Sequence, residues 1–105
     1  MMHDPVLQEF LEKITPLRKH ITRVILFGSR ARGDDRTDSD YDLLIVVPRK
    51  DDHLLDGLYE GVMDVLLAHG RLISLKIFPE AEFERLTQLQ TSFMQRVKAE
   101  GVPLG

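Results

Sequence analysis

Apolar positions along this chain switch between helical and extended periods. Val6, Leu7, Phe10, Leu11 and Ile14 keep the spacing of one helix face, and Asp4-Pro5 ahead of them reads as an N-cap with proline at the first helical position. A first helix is predicted from Pro5 towards Thr15. Pro16 lacks an amide donor and ends or kinks it, leaving Leu17 to His20 as one further turn. Val24 to Phe27 is a short strand closed by Gly28. Tyr41 to Val47 is a second, and its unbroken run Leu43-Leu44-Ile45-Val46-Val47 predicts burial on both faces. After Pro48, the positions Leu54, Leu55, Leu58, Val62, Val65 and Leu66 predict a helix starting at Asp51 or Asp52 and closing near His69-Gly70, weakened in its middle by Gly57 and Gly61. Leu72 to Phe78 alternates, with Ile73, Leu75 and Ile77 on one face and Ser74 and Lys76 on the other, as a third strand does. Pro79 opens a helix to Leu89, and Thr91 to Glu100 forms another, stopped by Gly101. The order is helix, strand, loop, strand, helix, strand, helix, helix, with no repeat, low-complexity stretch or long linker.

Composition narrows what this pattern can be. With 105 residues, 43% of them hydrophobic, the chain has material for one core, so residues 1–105 are expected to form a single domain. The absence of cysteine excludes disulfides, thiolate metal sites and cysteine nucleophiles. The first twenty residues are broken by acids and lysines in each turn, which fits neither a signal peptide nor a membrane span and points to a cytoplasmic protein. A net charge of -3 argues against a large nucleic-acid surface, because such affinity comes from Lys and Arg neutralising phosphates. A local basic patch for a nucleotide remains compatible with it.

The chemistry concentrates in FGSRARGDDRTDSDYDLLIVV, residues 27–47. Gly28 and Ser29 sit at a strand exit, where the missing Cβ lets backbone approach a ligand and the following amides and the Ser29 hydroxyl can donate to phosphate oxygens. Ten residues separate Ser29 from Asp40, and Asp42 follows after one more. In extended backbone, residues two apart share a face, so the two carboxylates converge and repel unless a cation lies between them. Mg²⁺ takes oxygen ligands and is commonly held by one or two carboxylates plus substrate phosphates, which suits this pair beside this turn.

Gly28-Ser29, ten residues, then Asp40-Tyr41-Asp42 resembles the GSx10DxD signature of nucleotidyltransferases related to DNA polymerase β. The length is similar to that of minimal nucleotidyltransferases. GSRARG, DSDYDLL and the ending TSFMQRVKAEGVPL are similar to the antitoxins of HEPN/MNT gene pairs. The resemblance implies an α/β (α+β) fold, a small mixed sheet flanked by helices in the order αβ(α)βαβαα. It also implies a nucleoside triphosphate on Gly28 and Ser29, and Mg²⁺ on the catalytic pair Asp40 and Asp42, two ions if the site is complete. The implied reaction is transfer of AMP from ATP to a tyrosine hydroxyl of a HEPN-domain toxin. One departure stands out. The strand RLISLKIF carries Ser74 where such proteins usually have a third acid, and Lys76 points to the same side. An antitoxin of this fold that acts by direct binding, with catalysis impaired, is therefore the alternative. A nucleotidyltransferase acting on RNA or a small molecule ranks third, since the chain beyond Phe78 offers only two short helices.

Other residues have plainer readings. Arg30 and Arg32 are divided evenly between solvated loop and charge-assisted phosphate contact. Asp34, Asp35 and Arg36 read as surface, Asp38 as turn-forming, and Ser39 as a brace for the turn. Glu60 and Asp64 fit a solvated helix face. His3, His20, His53 and His69 lack metal-ligand spacing. Tyr41, between the aspartates, is expected to face core or a neighbouring helix. Phe83, Phe93, Met94 and Val97 read as core, and the tail Gly101 to Gly105 as partly buried.

Overall fold

The structure is a computed structural model describing residues 4–33 and 40–104, with backbone only at Ser29 and Arg32. Asp34, Asp35, Arg36, Asp38, Ser39 and His3 lie outside the described residues. Helix α1 spans Pro5–Lys13, with the Asp4 carboxylate accepting from the amides of Val6 and Leu7. It ends earlier than the expected Thr15, because Ile14 is its C-cap and Pro16 turns the chain into a 3-10 segment, Thr15–His20. Strand β1 is Arg23–Phe27, the single-turn helix α2 is Ser29–Arg32, and β2 is Tyr41–Val47. Helix α3 runs Asp52–His69, capped by the Asp51 side chain at one end and by Gly70, at φ 67°, at the other. Strand β3 is Ile73–Pro79, α4 is Glu80–Leu89 and α5 is Ser92–Glu100. Pro79 and Thr91 are N-caps rather than first helical residues.

Val102–Pro103 adds a strand, β4, that the periodicity does not show. The sheet order is β3-β2-β1-β4, with β2 and β3 parallel and the other pairs antiparallel. The mixed sheet follows from connectivity. The long α3 crossover returns β3 parallel to β2, while the β1–β2 connection reverses direction.

Both faces of β2 are covered, as its unbroken apolar run requires. Tyr41, Leu43, Ile45 and Val47 join Leu7, Phe10, Ile14, Leu58 and Val65 in a core under α1 and α3. On the other face Leu44 and Val46 meet Val97, with Ile25, Phe27, Phe78, Phe83 and Phe93 around them under α4 and α5. Phe93 sets its ring edge-on to Phe27, with centroids 5.5 Å apart. The two mid-helix glycines of α3 have a packing purpose. A Cβ at Gly61 would lie 3.3 Å from Phe10 Cε1 and 3.4 Å from Ile14 Cγ2, and one at Gly57 would lie 2.7 Å from Leu17 Cδ1. Glycine costs helix propensity there but lets α3 close onto α1 and the 3-10 segment.

Candidate functional site

Strand register assembles the site. Phe27 pairs with Asp42 across β1–β2, and Asp42 pairs with Ser74 across β2–β3, so the three form one row across the sheet. Lys76 pairs with Leu44 in a neighbouring row. Alternation along β2 places Asp42 on the side of Leu44 and Val46, the face that α4 and α5 cover further down. Tyr41 goes to the opposite core, as expected.

Gly28 ends β1 at φ 80°, a left-handed conformation that glycine adopts without penalty. Its carbonyl accepts from the Ala31 amide at 3.1 Å, which starts the α2 turn. The Asp42 carboxylate rests against this glycine. A Cβ there would stand 2.5 Å from Asp42 Oδ2 and 3.3 Å from its Cγ. Any side chain at that place would push the Asp42 carboxylate or the turn aside. The backbone turn at Ser29 and the Asp42 carboxylate are thereby brought together, as the spacing anticipated, although the Ser29 and Arg32 side chains lie outside the described atoms.

The Asp42 carboxyl pKa is raised, first by burial and then by the neighbouring Asp40 charge, with Lys76 pulling it back. Two carboxylates therefore meet at the mouth of β2 in the unfavourable way that a cation relieves. Oxygen donors of this kind suit Mg²⁺. Asp40 and Asp42 fit one such ion. Among the described residues no cluster of three or more His, Cys, Asp or Glu side chains gathers to hold a metal, and Ser74 occupies the position beside Asp42 on β3.

Arg30 is not the solvated loop residue of one sequence reading, for its side chain is largely covered. Its guanidinium sits 3.9 Å from the centre of the Tyr41 ring, and its Nη1 is 3.9 Å from Asp4 Oδ2. The Tyr41 hydroxyl donates to that same Asp4 oxygen at 2.6 Å. Burial and this acceptor push the phenol pKa up to about 12. Asp4 thus caps α1, accepts a hydrogen bond from the Tyr41 hydroxyl and attracts Arg30, tying α2 to β2 behind the aspartates. The signal lay in three separated residues, and only the fold joins them.

Beside Asp42 on the β1 side is a cleft of about 220 Å³ lined by Phe27, Gly28, Phe93, Arg96, Val97 and Glu100. Arg96 and Glu100 carry no sequence motif and were not anticipated. Their helical spacing on α5 is visible only once α5 is known to reach the sheet end that bears Gly28. Among the remaining residues, Asp64 lies 3.9 Å from Lys13 and Glu60 is exposed, consistent with a solvated face. His69 Nε2 meets Glu9 Oε1 at 2.9 Å, joining α3 to α1.

A mixed four-stranded sheet with a glycine turn at one strand exit and paired aspartates at the adjacent strand entrance is the arrangement of a nucleotidyltransferase. The chain belongs to the polymerase β nucleotidyltransferase family, whose sequence profile matches residues 9–104. Two Methanocaldococcus jannaschii proteins provisionally named protein adenylyltransferases are similar. One is 32% identical over 102 residues, covering 96% of each chain. The other is 51% identical over 98 residues, covering 92% of this chain and 93% of its own. Among solved structures, a toxin-antitoxin crystallised with AMP-PNP shares the fold at a TM-score of 0.61 and 18% identity, over 99% of this chain and 73% of that one. Among the described residues no helix is long and apolar enough to cross a membrane.

Proposed function

We propose that this chain transfers AMP from ATP to a hydroxyl of a partner protein, as the antitoxin of a cytoplasmic toxin-antitoxin pair whose toxin carries a HEPN domain. The observation that carries this reading is the contact of Asp42 with Gly28, which sets a carboxylate directly against the turn at the β1 exit. The similarity to proteins named as protein adenylyltransferases supports the donor and acceptor class. The likeness to a toxin-antitoxin with AMP-PNP supports the partner.

In this reading the backbone amides of the Gly28 turn hold the triphosphate. Because α2 has a single turn, those amides contribute more than any helix dipole. Asp40 and Asp42 hold magnesium, which when bound neutralises triphosphate charge and favours the attacking oxygen. The acceptor oxygen forms a bond to the α-phosphorus, the bond from that phosphorus to the β-phosphate bridge breaks, and pyrophosphate leaves as the hydroxyl proton passes to solvent. Arg30, stacked on Tyr41, holds the turn in register rather than reaching for phosphate.

The test is label transfer from α-labelled ATP with Mg²⁺ onto the product of the neighbouring gene. Label on the partner that disappears in Asp42→Asn is expected, and transfer undiminished in that variant would refute the reading. A second reading is favoured by Ser74 standing beside Asp42 with Lys76 close by: a nucleotidyltransferase fold that silences its partner by binding alone. It requires inhibition of the partner without ATP and insensitive to Asp40→Asn.

A further inference from the structure

The row Phe27–Asp42–Ser74 has two unlike flanks. On the β1 side lie the Gly28 turn and the cleft with Phe27, Phe93, Arg96 and Glu100. On the β3 side lie a neutral hydroxyl, Ser74, and an exposed ammonium, Lys76, which alternation puts on the same face. We propose that the site holds a single divalent cation, on Asp40 and Asp42 at the Gly28 flank, and that Lys76 supplies the fixed positive charge on the β3 flank where a second cation would otherwise be needed. The inference rests on the nucleotidyltransferase reading and deepens it.

Ligand chemistry decides the count. Asp40 and Asp42, with phosphate oxygens, supply the hard oxygen donors that one dication takes. A second dication would enter beside the Lys76 ammonium with a serine hydroxyl as its nearest strand neighbour, whereas hard cations select carboxylate and phosphate oxygens. Lys76 stands two residues beyond Ser74 on the same face of β3, within reach of the row that carries Asp42. Glu100, the other acid near Asp42, lines a cleft with Asp42, Phe27 and Gly28 and with no residue of β3. A competing account makes Lys76 an edge-strand lysine that discourages sheet-to-sheet pairing, for β3 ends the sheet. That account predicts no effect of Lys76 on metal.

The experiment counts Mn²⁺ bound per chain by the loss of the free-ion electron paramagnetic resonance signal. It uses the full chain with excess Mn²⁺ and no nucleotide, because the phosphates of an analogue would take up an ion of their own. One ion per chain is expected for the wild type. Two are expected for the double variant Ser74→Asp, Lys76→Met, and a roughly 2- to 5-fold tighter first ion for Lys76→Met alone. Two ions in the wild type overturn the proposal and leave the nucleotidyltransferase reading standing. An unchanged ion affinity in Lys76→Met, or a single ion in the folded double variant, overturns the role given to the β3 flank. Ion binding indifferent to Asp40→Asn and Asp42→Asn would instead overturn the underlying reading. The wild-type count needs no variant to fold.

Discussion

Replacing Gly28 by alanine separates backbone strain from displacement of Asp42, because Gly33 provides a matched control. The two glycines have nearly equal conformations, φ 80° and 82°. A left-handed non-glycine residue costs about 1–2 kcal/mol, so both alanine variants should lose that much stability, a Tm decrease of roughly 5–15 °C in a domain of this size. Their surroundings differ. No described atom lies within 4 Å of a Cβ at Gly33, whereas one at Gly28 stands 2.5 Å from Asp42 Oδ2. Restoring an ordinary contact of about 3.4 Å moves the carboxylate or the turn by ~0.9 Å. Misplacement by about 1 Å costs transfer rates on the order of 100-fold. Gly28→Ala should therefore lose roughly 100-fold in label transfer from α-labelled ATP, measured well below either Tm. Gly33→Ala should lose stability with far less activity. Equal rates in the two variants, at matched fractions folded, would refute the claim that contact between Asp42 and the turn organises the site.

Two further predictions concern the scaffold. Tyr41→Phe keeps the ring under Arg30 but removes the hydroxyl that donates to Asp4, and should lose about 1–2 kcal/mol in urea unfolding at pH 8. Folding raises the phenol pKa from 10.0 to about 12, so the wild-type advantage is full below pH 10 and fades as pH climbs towards 12. A gap that stays constant across that window would refute the assignment. Gly61→Ala gains about 1 kcal/mol of helix propensity, yet its methyl presses on Phe10 and Ile14, both fully buried. Overpacking of about 1–3 kcal/mol should outweigh the gain, and a raised Tm would show that α1 can retreat from α3.

Most of the element order was legible because each segment carries a clean period and its own punctuation. Asp4-Pro5, Asp51 and Gly70 mark helix ends through local capping, which needs no tertiary context. Burial of β2 on both faces was legible for the same reason, as an unbroken apolar run has no polar side to expose. What escaped the sequence depends on partners far along the chain. Strand β4 is two residues long and exists because Val102 and Pro103 meet Leu26 and Ile25, with the Leu104 amide donating to the Val24 carbonyl at 2.8 Å. Arg30 read equally well as a solvated loop residue or a phosphate contact, and its stacking on Tyr41 depends on strand alternation and on a cap 26 positions away, which no local pattern shows. Gly57 and Gly61 read as helix weaknesses until the facing Leu17, Phe10 and Ile14 side chains are in place.

The connection between β2 and β3 explains why the site is asymmetric. A parallel crossover through α3 aligns Tyr41 with Ile73, which sets Ser74 against Asp42 and leaves Lys76 on the same face two residues on. The antiparallel β1–β2 pair instead aligns Phe27 with Asp42, bringing the Gly28 turn to the carboxylate from the other side. In the proposed reaction a phosphate at the turn and an acceptor approaching from β3 would lie on opposite sides of Asp42. The β1 flank is constrained by a close contact of Asp42 with Gly28, which a side chain there would displace, while the β3 flank is an open edge with exposed Lys76. In the proposed reaction, the triphosphate end is therefore fixed by this chain's own backbone. The acceptor end is left for the partner protein to complete, so partner contacts should control the rate of transfer more than the affinity for nucleotide.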